Sequence, residues 1–311
     1  MKKQIILDCD PGHDDAVAMM LAYGNPEIDL LAVTTVAANQ TLTKVTRNAQ
    51  AVATMIGMHD VPIAAGCSRP LIEEIKVAAD IHGESGLDGV VLPAPTVPVE
   101  KIHAVDLIID LIMTHPAKTI TLVPTGALTN IAMAARKEPK IIDRVKAVVL
   151  MGGGYHDANA SAVAEFNIKF DPEAAKIVFN AGWEVTMVGL DVTHHALATP
   201  EIVEQIKAIN TETADFVVDL LAFFRDMYKK GQNFDAPPVH DPCAVAYVID
   251  PSVLETKRVP VDIELTGTLT RGMTVADFRY PIPEDCQTAV AVSIDHAKFW
   301  QLVEAAIRAI G

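Results

Sequence analysis

Residues 5–16 read IILDCDPGHDDA, and the fold prediction rests on this stretch. The short stretch Gln4–Leu7 ends in three consecutive apolar residues, which is typical of a strand buried on both faces of a parallel sheet. An acidic turn follows it, and from Asp14 to Tyr23 apolar residues recur at helical spacing after an acidic start. The stretch therefore predicts a strand, a tight turn and a helix in direct succession.

The alternation of strand and helix continues along the chain. Further apolar runs predict strands at Leu30–Val36, Thr119–Val123, Ala147–Met151 and Val185–Leu190. Helical spacing and start signals predict helices at Leu42–Ile56, Ala104–Thr114, Asn130–Ala135 and Pro172–Asn180. The pattern is mostly helical from Pro200 to Tyr228, and candidate late strands at Val261–Leu265 and Ala289–Ile294 precede a C-terminal helix. This order predicts an α/β fold, an open and mostly parallel sheet flanked by helices, with residues 1–311 as a single domain.

Composition limits the classes of partner. Half of the 311 residues are apolar and 21% are charged, so the chain has enough apolar surface to offset the entropy of folding. The formal net charge of -15 repels phosphate backbones and anionic lipid. We therefore expect neither nucleic acid nor a membrane among the partners.

Cysteine spacing and the N-terminus indicate the compartment. Cys9, Cys67, Cys243 and Cys286 lie far apart without a Cys-x-x-Cys pair, which argues against a zinc ribbon or a disulfide framework. The apolar run before Asp8 is too short for a signal peptide or a membrane span. A cytoplasmic protein is the expectation.

The acidic turn is the densest chemical signal in the chain. Asp8, Asp10, Asp14 and Asp15 place four carboxylates within eight residues, and like charges this close raise one another's pKa. The helix N-terminus offsets this with only a partial positive charge, so a bound cation is favoured. Oxygen donors suit Ca²⁺ or Mg²⁺ better than zinc. The alternative is that Asp14 and Asp15 only cap the helix.

Two further polar segments are candidate functional elements. Ligands bind open parallel sheets at the carboxyl ends of the strands, where Asn39 and the 152–154 glycines also lie. His240 and Asp241 begin a probable helix, and Asp241 alone would read as its N-cap. The segment 159–167 carries amides and a carboxylate suited to sugar hydroxyls, although it could be an ordinary polar loop.

These motifs together resemble the nucleoside hydrolases. Residues 5–16 are similar to the N-terminal signature of that family, and LVPTG at 122–126, MGGG at 151–154, AEFN at 164–167 and HDP at 240–242 follow in the same order. The likeness runs from about Ile5 to Trp300 and is closest to the inosine-uridine preferring branch. It implies calcium-dependent hydrolysis of the N-glycosidic bond of purine and pyrimidine ribonucleosides, such as inosine and uridine, in nucleoside salvage. It also implies a homodimer or a homotetramer.

The resemblance assigns roles to individual residues. The implied calcium ligands are the carboxylates of Asp10, Asp15 and Asp241 and the backbone carbonyl of Thr125. Asp10 is also the implied general base, which takes a proton from the attacking water, and His240 is the implied acid for the leaving base. Ribose hydroxyls are expected at Asp14, Asn39, Asn159, Glu165 and Asn167, and the base pocket is expected at His82 and Tyr228.

Some positions keep a second interpretation. His82 could cap a loop, and Tyr228 could end the amphipathic helix that contains Phe216 and Leu220. Phe224 departs from the pattern, since some members of the branch carry a second tyrosine there, and its missing hydroxyl could not take part in a proton relay. Two other classes stay open at this point, a Mg²⁺-dependent phosphatase of the Asp-x-Asp type and a non-enzymatic ribonucleoside-binding protein.

Overall fold

The computed structural model describes residues 2–311. Within these residues, eight strands form one sheet in the order β3-β2-β1-β4-β5-β6-β10-β7, and β8 pairs with β9 in a separate hairpin. The strands are β1 Lys3–Cys9, β2 Ile28–Thr35, β3 Ile63–Ala65, β4 Ile120–Pro124, β5 Ala147–Met151, β6 Val185–Val188, β7 Leu254–Arg258, β8 Val261–Ile263, β9 Thr274–Ala276 and β10 Thr288–Ile294. All neighbouring pairs in the large sheet are parallel except β10 with β7, the edge pair.

Helices cover both faces of the sheet. They are α1 His13–Gly24, α2 Leu42–Met55, α3 Ala79–His82, α4 Ala104–Thr114, α5 Thr129–Lys137, α6 Ile141–Arg144, α7 Phe166–Phe170, α8 Pro172–Phe179, α9 Leu190–Thr193, α10 Pro200–Lys207, α11 Glu212–Gln232, α12 Pro242–Ile249 and α13 His296–Ile310, with a 3-10 turn at Pro251–Val253. Among residues 2–311, no helix combines the length and the apolar composition needed to cross a bilayer.

Strand β1 supplies side chains to both hydrophobic cores. Ile5 and Leu7 pack into the core with α1, α12 and α13, whereas Ile6 packs into the opposite core with α4, α5 and α8. Successive side chains of a strand point to opposite faces, so an uninterrupted apolar run is the pattern that a central strand requires. This placement fixes the acidic turn at the carboxyl edge of the middle of the sheet.

The predicted α/β architecture is confirmed, and the differences lie at its margins. The helix Ala104–Thr114 has the predicted bounds, and most other predicted elements differ by one to three residues at their ends. The late strand expected at Val261–Leu265 is shorter and pairs with β9 in the small hairpin, outside the large sheet. The three-residue strands β3 and β9 were not predicted, because such short runs carry too little periodicity.

Candidate active site

A cavity of about 480 Å³ opens at the carboxyl edge of the sheet. Ten of the sequence-predicted site residues line it, namely Asp14, Asn39, His82, Thr125, Asn159, Glu165, Asn167, Tyr228, His240 and Asp241. Asp10 and Asp15, the other two, are fully buried behind the cavity wall. The sheet therefore brings all of the predicted residues to one region.

Three carboxylates form the tightest acidic group in residues 2–311. Asp14, Asp15 and Asp241 each offer an oxygen within 4.8 Å of the others. Burial raises the pKa of Asp14 to about 7, and the charge of Asp15 adds to this shift. Burial also raises the pKa of Asp241 well above its usual range, and the charges of the neighbouring carboxylates add to that shift. No ion pair in the described part of the chain joins this group to a lysine or arginine. The crowded negative charge thus has no protein counter-ion.

Asp10 lies beside this group with one oxygen free. Its Oδ2 accepts the backbone N–H of Asn39 at 2.6 Å, while its Oδ1 is buried and lacks a hydrogen-bond partner within residues 2–311. Burial raises the pKa of Asp10 well above its usual range, and the charge of Asp15 adds to the shift. A Cβ on Gly126 would stand 2.4 Å from Asp10 Oδ1, so only glycine leaves room for this carboxylate.

Hydrogen bonds hold Asp15 and the Thr125 carbonyl in place. Asp15 accepts the Thr125 hydroxyl at 2.9 Å and the Gly12 backbone N–H at 3.0 Å. The side-chain amide of Asn167 donates to the Thr125 carbonyl at 2.7 Å and to the Met151 carbonyl at 3.2 Å. Asn167, predicted as a ribose contact, therefore also links the chain after β4 to the chain after β5.

The donor set fits a hard cation. Buried carboxylates without a basic partner, the unpartnered Asp10 Oδ1 and a nearby backbone carbonyl are all oxygen donors, which Ca²⁺ and Mg²⁺ prefer. The tight group contains Asp14 in addition to the predicted Asp15 and Asp241. One Asp14 oxygen, Oδ2, already accepts the backbone N–H of His240 at 3.3 Å.

His240 is held by hydroxyl groups at both ring nitrogens. Its Nδ1 lies 2.7 Å from the Thr193 hydroxyl, and its Nε2 lies 2.7 Å from the Tyr228 hydroxyl. Burial lowers the pKa of His240 well below its usual range, which favours the neutral imidazole. The sequence assigns roles to His240 and Tyr228, whereas it marks Thr193 only as a polar residue that follows a predicted strand at the rim of the expected pocket, with no role of its own.

The predicted base-binding residues lie on helical segments outside the sheet. His82 ends α3, and Tyr228 and Phe224 lie on α11. Phe224 packs edge-on against Tyr228 with ring centroids 4.7 Å apart and also contacts His82. His13, which the sequence analysis did not single out, stacks on Phe224 and lies 3.2 Å from His82 through their Nδ1 atoms.

Glu165 and Asn159 both bond to the backbone of their own region. Glu165 accepts backbone N–H groups from Gly153 at 2.8 Å, Asn167 at 2.8 Å and Ile168 at 3.1 Å. Burial raises the pKa of Glu165 to about 7, and these hydrogen bonds oppose the shift. Asn159 accepts the Phe166 N–H at 2.9 Å. Both residues line the cavity, and both also shape the loop that follows β5.

Asp8 belongs to a different network from the other acids of its motif. Its Oδ1 accepts the Thr34 hydroxyl at 2.6 Å and the Asn130 side-chain amide at 2.8 Å, within the sheet and away from the cavity. Asp8 therefore does not belong to the group of three carboxylates that lie within 4.8 Å of one another, because Thr34 and Asn130 hold its side chain within the sheet.

Comparisons with known proteins agree along the whole chain. Residues 5–301 match the family model described as inosine-uridine preferring nucleoside hydrolase. The chain is 64% identical over 312 residues to the inosine-uridine preferring nucleoside hydrolase of Crithidia fasciculata, covering 100% of this chain and 99% of that protein. It is 43% identical to a pyrimidine-specific ribonucleoside hydrolase of Photobacterium profundum, covering 97% and 98% of the two chains.

A solved structure extends this similarity to three dimensions. The purine-preferring ribonucleoside hydrolase from Gardnerella vaginalis superposes with a TM-score of 0.92 at 34% identity, covering 99% of each chain. The similarity therefore includes the entire sheet and the helices that carry the cavity.

Proposed function

The chain belongs to the inosine-uridine preferring nucleoside hydrolase family, and from this premise we propose how its own residues act on a nucleoside. It is a hydrolase that cleaves ribonucleosides to free base and ribose. We further propose that the reaction depends on calcium, that inosine and uridine are substrates, and that Asp10 and the His240–Tyr228 pair carry the proton transfers.

One observation supports this proposal most strongly. A single cavity is lined by the His240–Tyr228 pair and by Asp14 and Asp241 of an acidic group without a protein counter-ion, and the buried Asp10, which has a free oxygen, lies behind its wall. Cleavage of an N-glycosidic bond develops positive charge on the ribose and negative charge on the base. The cavity offers carboxylates for the sugar and hydroxyl and imidazole groups for the base.

The proposed calcium ligands are the carboxylates of Asp10, Asp15 and Asp241 and the Thr125 carbonyl. When bound, the ion would offset the charge of these groups, hold the vicinal hydroxyls of ribose and lower the pKa of water modestly. In this arrangement Asp14 is left to hydrogen-bond a ribose hydroxyl. Asn39, Asn159, Glu165 and Asn167 are the further proposed ribose contacts.

Asp10 acts as the general base in this proposal. Its Oδ1 has no competing donor, so it is free to accept a proton from the water that attacks the anomeric carbon. Its other oxygen is fixed by the Asn39 N–H, which sets the direction of the free one. The base then leaves with the electron pair of the C–N bond and takes a proton supplied by the His240–Tyr228 pair.

The biological setting is part of the proposal. We assign the chain to nucleoside salvage, acting in the cytoplasm as a homodimer or homotetramer. The relatives are named for different bases, so the ribose is the shared determinant and His82 and Tyr228 are the proposed contacts to the base.

The test is a product assay with inosine, uridine and a phosphate monoester. Free base and ribose are expected from the first two, and no phosphate from the third. The His240→Ala variant should hydrolyse inosine about 10²-fold more slowly or worse, the usual scale for losing a general acid. The same variant should cleave a nitrophenyl riboside nearly normally, because that leaving group needs no proton. Equal losses on both substrates would contradict the role of His240.

A further inference from the structure

Thr193 is a buried residue whose hydroxyl contacts the candidate acid. It ends α9, directly after β6, and it is fully inaccessible to solvent. Its Oγ1 lies 2.7 Å from Nδ1 of His240, and within residues 2–311 this is the one hydrogen bond that its side chain makes. The hydroxyl proton therefore either forms a hydrogen bond to Nδ1 of His240 or has no acceptor.

The direction of this bond follows from the cost of each arrangement. If His240 donated from Nδ1, the Thr193 hydroxyl proton would be buried without an acceptor, which is unfavourable. If Thr193 donates to Nδ1, its proton is satisfied and only oxygen lone pairs stay unused. Because Nδ1 accepts in this arrangement, it carries no proton, and the N–H of the ring resides on Nε2.

The hydrogen bond at the other ring nitrogen, Nε2, then determines the direction of the Tyr228 hydroxyl proton. Nε2 lies 2.7 Å from the Tyr228 hydroxyl, and Tyr228 lines the cavity. With the imidazole proton on Nε2, Tyr228 Oη accepts that hydrogen bond. The phenolic proton is then free to point into the cavity, where the base is proposed to bind.

We infer that Thr193 is a positioning residue that holds His240 in the Nε2–H tautomer and thereby directs the Tyr228 hydroxyl proton toward the leaving base. This inference rests on the proposed function, because it needs a base in the cavity beside Tyr228. It adds a residue on a third segment of the chain to the His240–Tyr228 pair, and it gives the proton transfer a direction.

The proton transfer balances as follows. The C–N bond breaks and its electron pair goes to the base, while the Tyr228 O–H bond breaks and its proton goes to a base nitrogen. The resulting phenolate keeps its hydrogen bond from His240 Nε2–H, which stabilises the charge. After product release, solvent water takes up the proton that Asp10 accepted and returns one proton to the phenolate, so the enzyme regains its starting state.

The first test is nitrogen NMR of protein labelled with ¹⁵N-histidine. Protonated and unprotonated ring nitrogens have distinct shifts, and the His240→Ala variant identifies the His240 signals by their absence. In the wild type, Nε2 should be the protonated nitrogen and Nδ1 the unprotonated one. In Thr193→Val the Nδ1 signal should move, because its hydrogen bond is lost. A wild-type His240 protonated on Nδ1 would overturn the inference.

The second test is kinetic and uses conservative variants. Thr193→Val should lower kcat for inosine about 10-fold, less than the loss of the acid itself, with little change in KM. It should leave nitrophenyl riboside cleavage near the wild-type rate. Thr193→Ser keeps the hydroxyl and should restore both the NMR signals and most of the inosine rate. Equal losses on the two substrates, or no loss on inosine, would overturn the inference.

A matched control separates this role from general packing. Thr129 is also buried, and its hydroxyl donates to Asp171 at 2.7 Å outside the cavity. Thr129→Val removes a comparable hydrogen bond and should leave the His240 signals and the inosine rate unchanged. Failure of the proposed function would give a different result from failure of the inference. In that case His240→Ala would cleave inosine normally, while the wild-type His240 would still be protonated on Nε2.

Discussion

The side-chain amide of Asn130 donates to Asp8 Oδ1 at 2.8 Å, across 122 positions of sequence. The same amide donates to the Thr35 carbonyl at 3.0 Å, and its oxygen accepts the Cys67 N–H at 2.8 Å. Asn130 thus joins β1, β2 and the chain after β3 within the sheet. This network positions the strand ends without contacting the proposed substrate.

Substitution of Asn130 should therefore affect stability more than chemistry. Asn130→Ala leaves the Cys67 N–H without its acceptor and removes one of two donors from both Asp8 Oδ1 and the Thr35 carbonyl. We expect a loss of about 1–3 kcal/mol in the free energy of unfolding. Urea denaturation measures this loss. The exposed Asn180→Ala is the control and should stay within about 0.5 kcal/mol of the wild type. If Asn130→Ala left the free energy of unfolding unchanged, this network would have no structural role.

Gly126 should be intolerant of any side chain. A Cβ would stand 2.4 Å from Asp10 Oδ1 and must displace the proposed general base. We expect Gly126→Ala to lower kcat/KM for inosine by about 10²-fold, the scale of a misplacement near 1 Å. Gly231→Ala is the control, since its Cβ would meet Ile81 at an ordinary 3.5 Å. Full activity in Gly126→Ala would mean that the position of Asp10 is not critical.

Calcium should stabilise the wild type and not a cluster variant. Removing one carboxylate relieves repulsion in the metal-free protein, so Asp241→Asn should be at least as stable as the wild type after chelation. Added calcium at 100 times its Kd should raise the wild-type free energy of unfolding by about 2.7 kcal/mol. Thermal unfolding with and without calcium measures both effects. An equal calcium response in the two proteins would place the ion elsewhere.

Deoxyribonucleosides should be poor substrates. The 2′ hydroxyl of ribose is proposed to contact both calcium and Asp14. A nucleoside without this hydroxyl therefore leaves buried polar groups unpaired. Sites of this kind reject the missing hydroxyl by roughly 10⁴-fold. Steady-state kinetics on inosine and deoxyinosine give the ratio of kcat/KM directly. Values within about tenfold, or 1.4 kcal/mol, would mean that the diol is not bound as proposed.

Glu165 predicts a pH-dependent contribution to stability. Burial raises its pKa from 4.5 to about 7, so the folded state binds more protons than the unfolded state between these values. Stability from this group is present below pH 4.5 and is lost as pH rises to about 7, for a total near 3 kcal/mol. Relative to the wild type, Glu165→Gln should thus gain stability between pH 4.5 and 7.5. Chemical denaturation at the two pH values measures this gain, and a constant difference would contradict it.

The sheet and its polar edge were predictable because both are local patterns. An apolar run followed by acids indicates a buried strand and its carboxyl end, and this placed Asp10, Thr125 and the 152–154 turn correctly. Partners across strands were not predictable, because they depend on register. Asp8 pairs with Thr34 through the β1–β2 alignment, and nothing in the sequence around Asp8 separates it from Asp10.

Contacts between segments that are distant in sequence could not be predicted either. Thr193, Tyr228 and His240 come from three elements whose packing decides which hydroxyl meets which ring nitrogen. The family resemblance supplied His240 and Tyr228 but carried no information on Thr193. A threonine after a strand is also common without any functional role, so its type alone was uninformative.

The separation of sheet-edge residues from the helical residues of α3 and α11 has an evolutionary consequence. The groups proposed for ribose and calcium are tied to the central strands, where a substitution disturbs the core. His82, Phe224 and Tyr228 lie on α3 and α11, outside the sheet, so a substitution there leaves the strand ends in place. A lineage can therefore exchange one nucleobase preference for another while its sugar chemistry is inherited intact. Relatives named for inosine and uridine, for pyrimidines and for purines are the diversity that such a modular inheritance produces.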